Sequence, residues 1–379
     1  MDLETRLFKL EDGWSAPLPK SLDSDRTVVT VFGAASFIDT PAVFGELRAA
    51  FPRAQMLGCS TAGEIHERRV HDDSIVIAVA RFDAVTARVA SVVSGGVDQS
   101  FEAGRSLGSA LHSPDLRALF LLSEGVDVNG SAIVRGVSSV TDPSVVVTGG
   151  LAADGDRFAR TWVFDGDDIS TNRMVALGIY GERAVITHGS KGGWDIFGIE
   201  RRVTKAKGNV LYELDGIPAL KLYKEYLGDR ASGLPLTALL FPLAVRADAS
   251  SSKRLVRTVL AVNANDQSLT FAGDIPVGGL AQLMRANCDR LIEGASEAGK
   301  IARPAIDSDL PVLSLAVSCV GRRLVLRDRV EEESEATQDA LPPRTKQVGF
   351  YAYGEISPFA TGTCDLHNQT MTVTTISER

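Results

Sequence analysis

LGCSTAGEI (57–65) and VGFYAYGEI (348–356) share one frame: Gly, four residues, Gly, Glu, Ile. Each continues a short apolar run, which predicts a strand running into a tight turn. A third stretch, SVVVTGGLAADGD (144–156), carries Gly150 and Gly155 five positions apart with Asp156 next. The spacing predicts three copies of one strand-to-turn unit, at Gly58, Gly63 and Glu64, at Gly150, Gly155 and Asp156, and at Gly349, Gly354 and Glu355. Gly273, Asp274 and Ile275 form a partial fourth echo.

The rest of the chain repeats around these turns. TVVTVF (27–32), SIVIAVARF (74–82), TARVASVV (86–93), RALFLLS (117–123), RMVALGIYG (173–181), PVLSLAVSCVG (311–321) and HNQTMTVTTI (367–376) read as strands. So do TWVF (161–164), LTALLFPLAV (236–245), LVRTVLAVN (255–263) and SLTFAGDI (268–275). Helical spacing marks PAVFGELRAAF (41–51), SFEAGRSLGSALHS (100–113), GSAIVRGVSSV (130–140) and RVEEESEATQDA (329–340). GGLAQLMRANCDRLIEGASEAGK (278–300) reads as the longest helix. The expected fold is α/β: duplicated βαββ-type units forming layered sheets covered by helices, in two halves. Strands apolar throughout, such as VVTVF, fit burial on both faces. SKGGWDIFGIERRVTKAKGN (190–209) reads as a linker, and ADASSSKR (247–254) as an exposed loop.

Composition excludes several function classes. The 379 residues carry a formal charge of −8, which disfavours nucleic acid or a polybasic membrane contact. The four cysteines, Cys59, Cys288, Cys319 and Cys364, form no CxxC pair. MDLETRLFKLEDGW alternates charges and lacks the apolar core of a signal peptide. No run approaches the roughly 18 apolar residues of a membrane span. The expectation is a cytoplasmic protein with reduced thiols.

A strand ending in glycines exposes backbone N–H groups and lets a ligand or another backbone approach. Neither phosphate fingerprint fits. A Walker A loop needs Lys where Glu64 stands, and no GxGxxG opens a helix. The residues that differ between copies carry more information. Cys59, Ser60, Thr61 and Glu64 in one copy and Tyr351, Gly354 and Glu355 in another suit a pocket with a few placed polar groups. The alternative is that the glycines only shape turns and let sheets pack.

Taken together, LGCSTAGEI, TGGLAADGDRFARTWVF, VTKAKGNVLYELDGIPALKLYKEYLG, SCVGRR, GFYAYGEISPF and HNQTMTV resemble the FIST domain, its N-terminal and C-terminal halves in order. The resemblance covers roughly residues 26 to 370. It implies an N-terminal extension (1–25), a FIST N-terminal domain (26–205) and a FIST C-terminal domain (206–379). It further implies an intracellular sensory protein, with an amino acid or similar metabolite as ligand. Some similar stand-alone members bind haem, sense nitric oxide and regulate a separate histidine kinase. With the chain ending at Arg379, output through contact with another protein is expected. Sheet edges leave a homodimer open.

Candidate ligand-binding residues are therefore Cys59, Ser60, Thr61, Glu64, Gly150, Arg322, Tyr351, Gly354, Glu355 and Asn368. Arg322 would clamp a carboxylate, against the alternative of pairing with a buried acid. Arg257 reads as structural. His188 and His367 are the haem axial-ligand candidates. His66 and His71 read as solvated loop residues, and the EEESE cluster (331–335) as a solvated helix start. An enzyme built on Cys59 is a further alternative, with no catalytic residue otherwise expected.

Overall fold

Three parallel strand pairs organise the chain. Thr27–Ala34 lies beside Gln55–Thr61, Leu116–Ser123 beside Val146–Leu151, and Val312–Cys319 beside Thr345–Ala352. Parallel neighbours need a crossover. Helices Ala42–Ala50 and Gly130–Ser138 supply it in the first two units, and Val320–Leu326 with Val330–Asp339 in the third. Two antiparallel strands extend each pair: Ser74–Arg81 then Asp2–Lys9, Arg173–Tyr180 then Thr86–Val93, and Met371–Glu378 then Ala184–Lys191. The computed structural model describes residues 1–251, 254–306, 309–358 and 364–379. Ser252 and Lys253, in the loop expected at 247–254, lie outside them.

A further strand in each sheet comes from a different unit. Glu64–His66 pairs with Thr345–Ala352, Gly354–Pro358 with Val146–Leu151, and Val163–Phe164 with Gln55–Thr61. The first unit thus completes the third sheet, the third completes the second, and the second completes the first. The exchange closes a ring and covers one edge of every parallel pair.

Alternation along the strands builds the core on both faces. Val28 and Phe32 point into a cluster shared by all three sheets, with Phe120, Leu122, Leu315, Val317 and Phe350. Phe32 and Phe350 meet across it, tilted by 31° with ring centres 4.7 Å apart. Val29 and Val31 point the other way, onto Val43, Phe44 and Leu47 of the first helix. Each sheet is therefore buried between a common centre and its own helices.

The glycine pattern follows from close strand approach. Gly58, Gly149 and Gly349 occupy one register position, opposite Val31, Leu121 and Ala316. A β-carbon there would lie 2.1, 1.8 and 1.9 Å from the neighbouring carbonyl oxygen. The second copy is thus framed on Gly149, one residue before the expected Gly150. Asp154, not Gly155, then matches Gly63 and Gly354.

Other expectations are corrected. Within residues 1–25, Asp2–Lys9 is a full strand of the first sheet. The expected linker is instead strands Trp194–Ile196, Arg201–Lys207 and Val210–Leu214. They open a β-rich insertion into the third unit, with its own core of Val203, Leu211, Leu220, Phe271 and Leu283. The partial echo at Gly273 belongs to this insertion. The run at 236–245 splits into a 3-10 turn, Leu236–Leu240, and a strand, Leu243–Arg246. The expected helix at 278–300 splits likewise. Leu280–Ala286 is a strand, and the helix Cys288–Ala302 starts only where the Asn287 side chain accepts from the N–H groups of Asp289 and Arg290.

Candidate functional site

The strand crossings of the first two units converge at the start of helix Val320–Leu326. There Thr61, Gly63, Glu64, Asp154 and Arg323 line a cavity of about 660 Å³. Backbone bonds knit the crossings together: Ala62 N–H donates to Tyr351, Tyr351 N–H to Gly63, and Ala153 N–H to Ser60.

Glu64 is the buried acid of this site. One carboxylate oxygen accepts from the Ser74 N–H at 3.2 Å and hydroxyl at 2.6 Å; the other accepts from the Thr61 hydroxyl. Burial dominates, and with help from Asp72 it pushes the carboxyl up to about 8 against these bonds.

Arg323 faces it. Its guanidinium donates to the Ala62 carbonyl and, at 2.6 Å, to Asp72. Gly63 has φ +128°, and a β-carbon there would lie 2.3 Å from the Arg323 Nη1. The glycine thus makes room for the guanidinium.

Asp154 stands on the opposite wall. It accepts from the N–H groups of Ala159 and Arg160 at 3.1 and 2.9 Å, and from the Tyr353 hydroxyl. Arg157 lies 3.8 Å from it and is mostly exposed. Tyr353 stacks on Phe158 with centres 4.2 Å apart, which holds its hydroxyl on Asp154. Burial, then Asp154, keeps that phenol protonated.

A second hollow of about 590 Å³ adjoins this cavity and shares Ala62, Gly155 and Arg323 with it. Leu236, Leu240, Val320 and Leu324 give it an apolar wall. The combined space is polar and charged at one end and apolar at the other. It lies between the three-sheet body and the insertion.

Of the expected site residues, Thr61 and Glu64 line the cavity. The others serve the fold. Cys59 is fully buried opposite Val163, and burial drives its thiol well above the usual range. Burial of this kind lowers a thiol's reactivity. The Ser60 hydroxyl accepts from Trp162 N–H at 2.9 Å. Gly150 faces Glu355 across the strands. Glu355 is buried, accepts from the Thr370 N–H and hydroxyl at 3.0 and 2.9 Å, and is pushed by burial up to about 8. Gly354 packs under Leu366. Asn368 accepts from Thr258 N–H and donates to the Tyr353 carbonyl, tying the insertion to the body.

Arg322 is corrected to a structural role. It is wholly buried, 2.7 Å from Glu333, and donates to the carbonyls of Gly192 and Leu291. Tyr351 donates to the same Glu333 at 2.7 Å. The EEESE cluster is thus not wholly solvated, since Glu333 and Ser334 are buried. Arg257 donates to Leu366 and Asp274 carbonyls. His66 and His71 lie in short strands, half-buried.

The two haem-ligand candidates lie away from the cavity. His367 is buried, with Nε2 2.9 Å from the Ser357 carbonyl oxygen. His188 sits within strand Ala184–Lys191 opposite Thr374, and neither lines the cavity. Among the described residues no cluster of three or more metal-ligating side chains occurs, and no helix is long and apolar enough to cross a membrane.

Family models place the chain among small-ligand sensory domains of signal transduction. The FIST N domain model matches residues 27–217 and the FIST C domain model residues 219–358, so the chain belongs to the FIST family. No curated protein matches the chain. Among solved structures, a cyanuric acid hydrolase from A. caulinodans aligns with 100% of this chain and 99% of its own at 10% identity. Its TM-score is 0.36, a likeness that carries no argument.

The residues missed by sequence reasoning are Arg323, Asp154, Arg157 and Tyr353. The pair Arg322 and Arg323 was visible. Which one faces the cavity depends on helix rotation, about 100° per residue.

Proposed function

We propose that the chain is a sensor for an amino acid or a similar zwitterionic metabolite, bound in the cavity between Glu64, Asp154 and Arg323. The observation that carries this reading is the placement of guanidinium and carboxyl groups across one cavity with an apolar hollow alongside. A ligand carboxylate would take the Arg323 fork, sharing it with Asp72. A ligand ammonium would sit by Asp154 and Asp72. Its side chain would reach towards Leu236 and Val320. The ligand would touch both the body and the insertion, so binding would favour one arrangement of the two. That difference would be read by a separate output protein, a histidine kinase being the type the resemblance implies.

The test is a thermal-shift screen of amino acids, followed by calorimetric titration of any hit on the wild type, Arg323→Gln and Asp154→Asn. A true ligand at a hundredfold excess over Kd adds about 2.7 kcal/mol, and both variants abolish the effect. Failure of every amino acid to stabilise the wild type overturns the proposal. The alternative, a haem sensor of nitric oxide, draws no support from this cavity. A Soret band from added haemin that His188→Ala or His367→Ala removes would restore it.

A further inference from the structure

A further groove adjoins the apolar hollow, between helix Val320–Leu326 and the insertion. It has a volume of about 550 Å³ and meets the apolar hollow at Leu240, Leu324 and Arg327. Three arginines line it, Arg230, Arg285 and Arg327, and no carboxylate does. In a chain of net charge −8 this is unusual. Arginines close by are neutralised, Arg323 by Asp72 and Arg329 by Asp289 and Glu332. Among the described residues, none of the three groove arginines makes an ion pair.

Two of the three are held by aromatic rings instead. The Arg230 guanidinium carbon lies 5.3 Å from the centre of the Phe241 ring, and that of Arg285 lies 5.6 Å from Phe197. A ring's π face attracts a guanidinium without using up its N–H groups as a carboxylate would, so these remain for an incoming acceptor. Three like charges in one groove repel each other until an anion arrives. The remaining lining, Leu324 among it, is mostly apolar.

We infer that this groove is a second small-molecule site, which takes an organic anion with a flat apolar body, an aromatic carboxylate. The carboxylate meets the arginine edges and the ring lies along Leu324 between Phe197 and Phe241. The inference stands apart from the amino-acid reading of the first cavity.

The experiment is calorimetric titration of the full chain with indole-3-acetate and with tryptamine, a cation of similar shape. Wild type is compared with the double variant Arg230→Gln and Arg285→Gln, and with Arg323→Gln. All three positions are at least partly exposed, so the variants should fold. The expected result is saturable binding of indole-3-acetate but not tryptamine, weakened about tenfold or more in the double variant and unchanged in Arg323→Gln. No saturable binding, equal binding of the cation, or undiminished affinity in the double variant overturns the inference. Loss in Arg323→Gln alone places the anion in the first cavity and overturns it as well.

Discussion

Glu64 and Glu355 occupy the same place in two of the three units. Each lies in the first two residues of a strand donated to another unit's sheet, Glu64 opposite Phe350 and Glu355 opposite Gly150. Each carboxylate accepts from the N–H and hydroxyl of the residue at the head of the next core strand, Ser74 or Thr370. In the remaining unit the place is taken by Val163, opposite Cys59. The acids are thus repeat features of the fold, and only Glu64 also borders the cavity.

Both acids predict a loss of stability at alkaline pH. Their folded pKa values, raised to about 8, lie above the unfolded value. The folded state therefore binds the proton more tightly. The stabilisation is full below the unfolded pKa, falls as pH rises, and is gone above about 8, at about 1.4 kcal/mol per pH unit for each group. Wild-type thermal unfolding should move to lower temperature between pH 5 and pH 9. The double variant Glu64→Gln and Glu355→Gln should lose much of this slope. An unchanged slope would show that other groups set it.

The adjacent arginines predict opposite phenotypes. Arg322→Ala leaves Glu333 buried and unpaired, and should cost about 3–5 kcal/mol in urea unfolding. Arg323→Gln removes a partly exposed group and should change stability by less than about 1 kcal/mol. Only the second should remove ligand binding from a protein that still folds. The reverse outcome would mean that the helix is rotated from the orientation described.

The register glycines predict intolerance to a single methyl group. Gly349→Ala would place a β-carbon 1.9 Å from the Ala316 carbonyl and should abolish soluble expression. Gly45→Ala, in helix Ala42–Ala50 with nothing within 4 Å of its β-carbon, should be neutral or stabilising by up to about 1 kcal/mol. Expression and thermal unfolding of the two variants check this directly.

Thiol reactivity should follow burial. Iodoacetamide should label the partly exposed Cys288 well before the buried Cys59 and Cys319 in native protein. Selective labelling of Cys59, read by peptide mass, would revive the nucleophile reading.

Periodicity reveals local structure because a strand or helix shows its pattern within a few residues. The repeat at Gly58 and Gly349, the buried strands and most helices are legible for that reason. The failures have local causes too. Two adjacent glycines, Gly149 and Gly150, hide which one the strand contact requires. The apolar spacing of LAQLMRA continues into the true helix, so the cap at Asn287 passes unnoticed. The insertion's strands are short and partly exposed, and read as a linker.

What the sequence by itself determined is the α/β class and the repeated unit, since these depend on residue type and spacing. Tertiary structure alone decided that each unit lends a strand to another, because hydrogen-bonded partners such as Glu64 and Phe350 stand nearly 300 residues apart. It also decided that Arg323 rather than Arg322 meets the cavity. One residue's rotation on a helix separates a guanidinium buried against Glu333 from one that faces the cavity.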